Sequence, residues 1–238
     1  MNNGRWKMCG ASVLLIAAAA AQAAPLTFEG ADPGTSLGSA TPGSDAAAAA
    51  FDAAAGALGS VRLIDFESAP LGAFPSLEIA PGVTASGLGY TGVATHSIAA
   101  GERCGSVCGF NTTLGGLKYL DVDANFITLS FSGGVQAFGA YITGVQLDGE
   151  TVTFDDGTSQ TLVLANHGSG AQFFGFTDAG KTILSITLDT RNPSNTLGDF
   201  VGLDDVRYVA AVPEPGTLAL FALGIAGVAT RAWRRRTG

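Results

Sequence analysis

The stretch Phe126-Ile127-Thr128-Leu129-Ser130-Phe131 decides the fold class, because from Ile127 onward apolar and polar side chains alternate. Successive side chains of a β-strand point to opposite faces, so this order places the apolar ones on one face and Thr128 and Ser130 on the other. Alternation with a period of two predicts a strand that has one face in a core.

The same alternation recurs along the rest of the chain. Residues 184–188 repeat it, and residues 152–164 predict a hairpin that turns at Asp155-Asp156-Gly157. Further strands are predicted at 61–66, 82–90, 117–122, 135–145, 171–176 and 200–209. Gly133-Gly134, Gly139 and Gly144 interrupt strands and predict bulges or bends. About nine or ten short strands without a long amphipathic helix favour an antiparallel β-sandwich or jelly roll.

The composition supports a β fold and excludes one class of partner. The 238 residues include 34 Gly, and 8% of them are aromatic, which favours a turn-rich β protein over a helical bundle. The formal net charge is −8, with 12 Lys and Arg. Such a chain lacks the basic surface that nucleic-acid binding requires, so no nucleic-acid partner is expected.

Residues 24–60 form a low-complexity segment that is rich in Gly, Ser, Pro, Ala and Thr. Within it, Ser44-Asp45 followed by an alanine-rich run to Ala55 predicts a short helix, with Ser44 or Asp45 as its N-terminal cap. We expect this helix to lie on the main domain, and a disordered linker is the alternative interpretation. The main β-domain is expected at residues 61–210.

Residues 1–23 have the three-part pattern of a secretory signal peptide. Arg5 and Lys7 form the basic end, and residues 11–21 are uncharged but too short to span a bilayer. Ala21-Gln22-Ala23 supplies the small residues after which signal peptidase cuts. We therefore expect export across the inner membrane, with an N-terminal membrane anchor as the alternative.

Residues 211–238 contain a second apolar segment, which ends in a basic cluster. Pro213-Glu214-Pro215 precedes fifteen uncharged residues, 216–230. The basic cluster consists of Arg231, Arg234, Arg235 and Arg236. As a helix this run spans about 22 Å, so Trp233 and snorkelling arginines must help it to cross a hydrocarbon core of about 30 Å. We expect a transmembrane helix with a cytoplasmic C-terminus; a buried core helix is the alternative.

This tail resembles the PEP-CTERM sorting signal of Gram-negative bacteria, which is also labelled an ice-binding protein C-terminal domain. The resemblance rests on Val212-Pro213-Glu214-Pro215-Gly216-Thr217, the apolar run and the terminal arginines, in that order. It implies recognition by an exosortase, a membrane-embedded cysteine transpeptidase that cuts near Pro-Glu-Pro. It also implies a transient anchor in the inner membrane, and a final place at the cell surface or in the extracellular matrix, often with exopolysaccharide.

Parts of the main domain also resemble known sequences. Asp65-Phe66-Glu67-Ser68 and Gly202-Leu203-Asp204-Asp205-Val206 are similar to a pair of patterns in exported jelly-roll modules, including carbohydrate-binding and concanavalin-like lectin folds. Phe173-Phe174-Gly175-Phe176, followed by Ile183–Leu188, resembles the sandwich domains of other PEP-CTERM proteins. These resemblances imply a fold and carry no activity.

Cys104 and Cys108 are the two cysteines that follow the expected signal peptide. Exported proteins fold in an oxidising compartment, so we expect a disulfide that closes this short loop. A loop of this length contributes little to global stability, and its effect is local rigidity. The alternatives are a metal site with His96, which lacks further soft ligands, and a redox pair, which lacks the C-x-x-C spacing.

An acidic group is the candidate metal site. The first and last strands of a jelly roll often lie side by side, which would bring Glu67 near Asp204 or Asp205, with Asp199 as a further ligand. Hard oxygen ligands of this kind suit Ca²⁺. Solvated strand ends are the alternative, and no other cofactor is expected.

Catalytic motifs and sugar-stacking side chains are both scarce. The sequence has no H-E-x-x-H, G-x-S-x-G, phosphate loop or Cys–His motif. We expect His96 and His167 in exposed loops. The residues that could stack on a sugar ring are Tyr90, Tyr119, Tyr141 and Tyr208, although burial in the sandwich is the alternative for each.

These features predict a non-enzymatic exported β-sandwich protein, structural or adhesive, that binds polysaccharide or calcium. The alternative is a secreted polysaccharide-active hydrolase, which needs two carboxyl groups about 5–10 Å apart in a groove. Residues 24–212 carry 19 acidic and six basic side chains, a net charge of −13. The part expected to be exported is therefore more acidic than the whole chain.

Overall fold

A computed structural model describes residues 25–155, 159–178, 180–191 and 198–211. The expected signal peptide, the Pro213-Glu214-Pro215 motif and the arginine-terminated segment lie outside these residues. No helix in the described part of the chain is both long and apolar enough to cross a membrane.

The described residues form thirteen strands and one helix. In chain order these are β1 (Leu26–Asp32), α1 (Pro42–Gly56), β2 (Arg62–Ile64), β3 (Gly72–Ala73), β4 (Ser76–Ala80), β5 (Val83–Ser86), β6 (Ser97–Ala100), β7 (Lys118–Asp123), β8 (Phe126–Thr143), β9 (Thr151–Asp155), β10 (Gln160–Val163), β11 (Ala171–Thr177), β12 (Ile183–Asp189) and β13 (Phe200–Ala210). All pairings between these strands are antiparallel. A mainly antiparallel β fold with one helix is thus confirmed, and the narrower jelly-roll assignment stays a prediction.

Strand β8 connects the two layers of the fold. Its first half pairs with β5 and β12, and its second half pairs with β11 and β13. Along β12, Ser130 faces Ser185 while Val135 faces Ile183, so β8 has a bulge between the two halves. The predicted bulge at Gly133-Gly134 is therefore confirmed. The prediction of separate strands at 127–131 and 135–145 is wrong, because the bulge bends β8 without ending its pairing.

The main core lies between these layers. Ile127, Leu129 and Phe131 are buried, which confirms the face assigned to them by alternation. The rings of Phe154 in β9 and Phe176 in β11 stack with their centroids 4.3 Å apart. Residues from both halves of β8 therefore contribute to one apolar cluster.

Residues 26–56 pack on the same body. β1 pairs with β11 along its whole length, so the low-complexity segment 24–60 contributes a strand as well as a helix. α1 lies on the outer face of this layer, where the Phe51 ring is 5.8 Å from that of Phe28 and 5.7 Å from that of Phe173. A buried aromatic cluster thus holds the helix against the sheet.

The N-terminus of α1 is capped from another element. Asp32, at the end of β1, accepts hydrogen bonds from the N–H groups of Gly43 and Ser44 at 2.9 and 2.8 Å. The prediction of Ser44 or Asp45 as the cap is therefore wrong. The helix begins earlier, at Pro42, and the folded sheet places an upstream carboxylate against its first N–H groups.

Candidate functional site

An exposed apolar surface lies where the loop after β5 meets the start of β8. It consists of Leu88, Tyr90, Val93 and Phe126, and we call these four residues the aromatic surface. The Tyr90 side chain is 44% exposed and that of Phe126 is 37% exposed. An exposed ring with a polar tip is typical of a binding surface.

Hydrogen bonds hold the two segments of this surface together. The Tyr90 N–H donates to the Asp123 carbonyl at 3.0 Å, and the Asn125 side-chain amide donates to the Gly89 carbonyl at 2.9 Å. Gly89 donates in turn to the carbonyl of Val93 at 2.9 Å. The loop that carries Tyr90 is therefore fixed to the turn that precedes Phe126.

The side chain of His96 also contacts this turn, from the interior of the fold. It is fully buried; its Nδ1 accepts the Asp123 N–H at 3.0 Å, and its Nε2 lies 3.1 Å from the Phe126 carbonyl. This pairing requires a neutral ring with the proton on Nε2. Burial lowers the pKa of His96, which favours that neutral form. The expectation of an exposed His96 is wrong, because the residue enters β6 under this turn, whereas His167 is exposed as expected.

Charged side chains border the aromatic surface. The Arg191 guanidinium lies 5.0 Å from the centre of the Phe126 ring and donates to both carboxylate oxygens of Asp189, at 2.9 and 2.5 Å. Nearby, Arg103 donates to Asp121 at 2.9 Å. Burial raises the pKa of the Asp121 carboxyl to about 6, and Arg103 opposes that shift. The surface thus combines two rings with hydrogen-bond donors and acceptors.

The other three tyrosines lie inside the fold. Tyr119, Tyr141 and Tyr208 are buried, so Tyr90 alone of the four candidate stacking residues is open to a ligand. All four tyrosines are candidates from the sequence alone, and only the folded structure distinguishes the exposed one from the buried ones. The exposed Phe126 was missed as a ligand contact because its position in an alternating strand favoured a role in folding.

Three of the four candidate calcium ligands converge on one loop, residues 111–118. β2 pairs with β13, as expected for first and last strands of the main domain, and this brings Glu67 and Asp204 to that loop. Asp204 is fully buried, and its Oδ2 accepts the N–H groups of Thr112 at 2.7 Å and Thr113 at 3.1 Å. The carboxylate thereby fixes the turn of the loop.

Glu67 and Asp205 bind the same loop, whereas Asp199 accepts the main-chain N–H groups of Gln146 and Phe200. Glu67 Oε1 accepts the N–H groups of Leu117 and Lys118, each at 2.7 Å. Asp205 accepts the Thr113 hydroxyl at 2.8 Å. Burial raises the pKa of Asp204 to about 7, although its N–H donors favour the carboxylate. Protein donors therefore occupy oxygens that Ca²⁺ would need.

Across the described ranges, no group of three or more His, Cys, Asp or Glu side chains is placed to hold a metal ion. Calcium binding by Glu67, Asp204 and Asp205 stays a prediction.

The structure joins Cys104 and Cys108 in a disulfide with their Cα atoms 5.2 Å apart. This distance lies within the usual range for a bridge.

A cleft lies beside the 111–118 loop. Its walls are residues 36–39, 41 and 110–116, and its volume is about 160 Å³. Burial raises the pKa of three carboxyl groups to between about 6 and about 10. These groups belong to Asp121, Glu150 and Asp204. Each is at most 5% exposed, and none lines this cleft.

Comparison with known proteins identifies the tail. Residues 211–236 match the PEP-CTERM protein-sorting motif. No curated protein matches the chain. One similar solved structure is a glycoside hydrolase family 43 arabinoxylan arabinofuranohydrolase from Bacillus subtilis in complex with cellotetraose, with 13% identity and a TM-score of 0.27 over 40% of this chain. The match spans about a fifth of that structure, 21%.

A second similar structure is a family 6 carbohydrate-binding module, with 14% identity and a TM-score of 0.29. The match covers 63% of this chain and 94% of the module. The motif match lies wholly in the tail, where the sequence showed the Pro-Glu-Pro pattern and the arginine cluster. The chain therefore carries a PEP-CTERM protein-sorting motif at residues 211–236, which implies export and exosortase-dependent sorting to the cell surface.

Proposed function

We propose that the protein is a structural or adhesive component of the cell surface or extracellular matrix, and that its aromatic surface binds exopolysaccharide. The observation that carries the binding role is the exposed Tyr90 ring on a loop that is hydrogen-bonded to the turn before the exposed Phe126. A loop that is already fixed in this way loses little backbone conformational entropy when a ligand stacks on the ring it carries.

The charge of the body favours one class of polysaccharide. Residues 24–212 carry a net charge of −13, so an anionic polymer is repelled over most of the surface. We therefore propose a neutral polysaccharide, whose sugar rings stack on Tyr90 and whose hydroxyl groups bond to Asp189 and Arg191.

The burial of the carboxyl groups with raised pKa values favours polysaccharide binding over polysaccharide hydrolysis. A glycosidase needs an acid and a second carboxylate that both reach the substrate in a groove. Asp121, Glu150 and Asp204 have raised pKa values, but all three are buried under loops. Burial of this kind orders the loops and keeps the carboxyl groups away from a polymer. Hydrolysis of the bound glycan remains the competing outcome to measure.

The test is a glycan array probed with the purified full-length chain, with and without calcium. We expect binding to neutral polysaccharides and a loss of about five- to thirtyfold for Tyr90→Ala, since a stacked ring contributes about 1–2 kcal/mol. Leu114→Ala is the matched control, because this side chain is fully exposed on a different loop. Equal binding by the Tyr90→Ala variant would rule out the aromatic surface, and shortened glycans would establish the hydrolase.

A further inference from the structure

The layer that contains the first half of β8 has one face in the core and the other in solvent. Its strands lie in the order β4, β5, β8, β12, β9 and β10. The helix α1 lies on the other layer, against β1 and β11, so it leaves this outer face open.

Hydroxyl side chains cross all six strands of this outer face in one row. The register of the strand pairings places each of them opposite the next. In strand order the row is Ser76, Ser86, Thr128, Thr187, Thr153 and Thr161. All six are exposed or half-buried. Because paired strands lie about 4.8 Å apart, the row is about 24 Å long.

A second, shorter row runs beside the first, two residues further along three of the strands. It consists of Thr84, Ser130 and Ser185, which are also exposed or half-buried. Two residues of a strand span about 7 Å, which is the distance between the rows. We call the nine residues of the two rows the hydroxyl face.

The hydroxyl face carries no charge, although the chain around it is strongly acidic. Residues 24–212 carry 19 acidic and six basic side chains. Two of the acidic ones border the shorter row, where Glu78 pairs with Thr84 and Asp155 pairs with Ser185. Solvent-facing positions commonly hold Lys and Glu. Nine uncharged hydroxyl groups instead suit a neutral partner that both donates and accepts hydrogen bonds.

Hydrogen bonds within the hydroxyl face hold some of its side chains in place. The hydroxyl oxygens of Thr128 and Thr187 are 2.8 Å apart, and those of Thr153 and Thr161 are 3.0 Å apart. Threonine is β-branched, which restricts its rotamers further. Each bonded pair keeps one free O–H group and several acceptor lone pairs. These groups are therefore positioned before a ligand arrives, which lowers the entropic cost of binding.

We infer that the hydroxyl face binds the ordered surface of an insoluble neutral polysaccharide, in which several chains lie side by side. A small soluble ligand is bound best in a concave site that buries most of its surface, whereas this face is an open sheet surface. A rigid, periodic ligand can instead make many weak hydrogen bonds at once.

The hydroxyl face is continuous with the aromatic surface. Phe126 pairs with Asp189 on the same side of the sheet, two residues before Thr128 along β8. One ligand surface can therefore contact the Phe126 ring and the hydroxyl rows together. The inference rests on the proposed role in polysaccharide binding, and it adds the physical state of the ligand.

The test compares insoluble and soluble forms of the same sugars with the full-length chain. Co-sedimentation measures binding to microcrystalline cellulose, chitin and curdlan granules, and calorimetry measures binding to their soluble oligosaccharides. Thr128→Val/Thr187→Val removes both partners of one hydrogen bond and keeps the side-chain shape, so the variant should fold like the wild type. We expect it to bind the insoluble polysaccharide at least about fivefold more weakly, with binding to the oligosaccharides unchanged.

Two further variants sharpen the comparison. Ser130→Lys keeps both bonded threonine pairs and places a long charged side chain on the hydroxyl face, so it should also weaken binding to the insoluble polysaccharide. Thr27→Val is the matched control, because Thr27 is exposed on β1 in the other layer. It should bind both forms of the sugar like the wild type.

The outcomes separate this inference from the proposed function. Equal binding of the insoluble polysaccharides by the wild type and both hydroxyl-face variants would overturn the inference, and a loss confined to Tyr90→Ala would leave the proposed function intact. A wild type that binds neither form would overturn both. Without polysaccharide binding, a dimer that Ser130→Lys dissociates would assign the face to a second copy of the chain. Inhibition of ice recrystallisation that Ser130→Lys removes would assign it to ice.

Discussion

At the scale of single residues, His96 shows how one neutral side chain organises the aromatic surface. Both of its ring nitrogens bond to the turn between β7 and β8, one as acceptor and one as donor. Removing the ring leaves the Asp123 N–H and the Phe126 carbonyl without partners inside the protein. The pairing also depends on protonation, because a charged imidazole has no acceptor for the Asp123 N–H.

We predict that His96→Ala lowers the free energy of unfolding by about 2–4 kcal/mol. His167→Ala, on an exposed loop, should change it by less than about 0.5 kcal/mol. Burial holds the pKa of the His96 imidazole below its usual 6.5 in the folded protein. As the pH falls, the imidazole of the unfolded chain is therefore protonated before that of the folded protein. The advantage of the wild type over His96→Ala should therefore be complete above pH 6.5 and shrink as the pH falls further. Urea unfolding between pH 5 and 8 measures it; an advantage that is independent of pH would contradict this account.

At the scale of elements, the bend in β8 decides the architecture. The strand belongs to both layers, so the angle at its bulge sets how the two sheets close on the core. Gly134 has a φ of +70°, and a Cβ there would overlap the Thr182 methyl group. Gly133, the preceding residue, has open space at the position of a Cβ. Two adjacent glycines thus have different roles.

This difference gives a matched pair of variants. We predict that Gly134→Ala destabilises the protein by at least about 1–2 kcal/mol, because alanine disfavours positive φ and the new methyl group overlaps Thr182. Gly133→Ala should change the free energy of unfolding by less than about 0.5 kcal/mol. Thermal or urea unfolding of both variants provides the measurement. Equal effects would mean that the bend does not depend on the conformation of Gly134.

Regular patterns explain which elements the sequence could predict. Alternation found the strand around Ile127 and the hairpin of β9 and β10, because each pattern is local. The cap of α1 by Asp32 could not be found in this way, since it depends on how β1 pairs with β11.

At the scale of the whole molecule, the chain divides into an acidic body and a tail that directs sorting. The tail was recognisable from sequence because its motif, apolar run and arginines follow one another without a gap. The binding surface proposed for the body was not recognisable, since three of the four candidate tyrosines are buried and the exposed Phe126 lies in a strand. A sorting signal is contiguous in the sequence, whereas a binding surface is assembled by the fold from separate segments.

We expect the PEP-CTERM tail to determine where this mainly antiparallel β protein goes. The most direct measurement is fractionation of cells that contain an exosortase and express either the wild type or a variant with Pro213, Glu214 and Pro215 replaced by alanine. The wild type should be found at the cell surface or in the medium without its tail, and the variant should stay in the inner membrane with the tail intact. Equal processing and release of the two proteins would contradict the account.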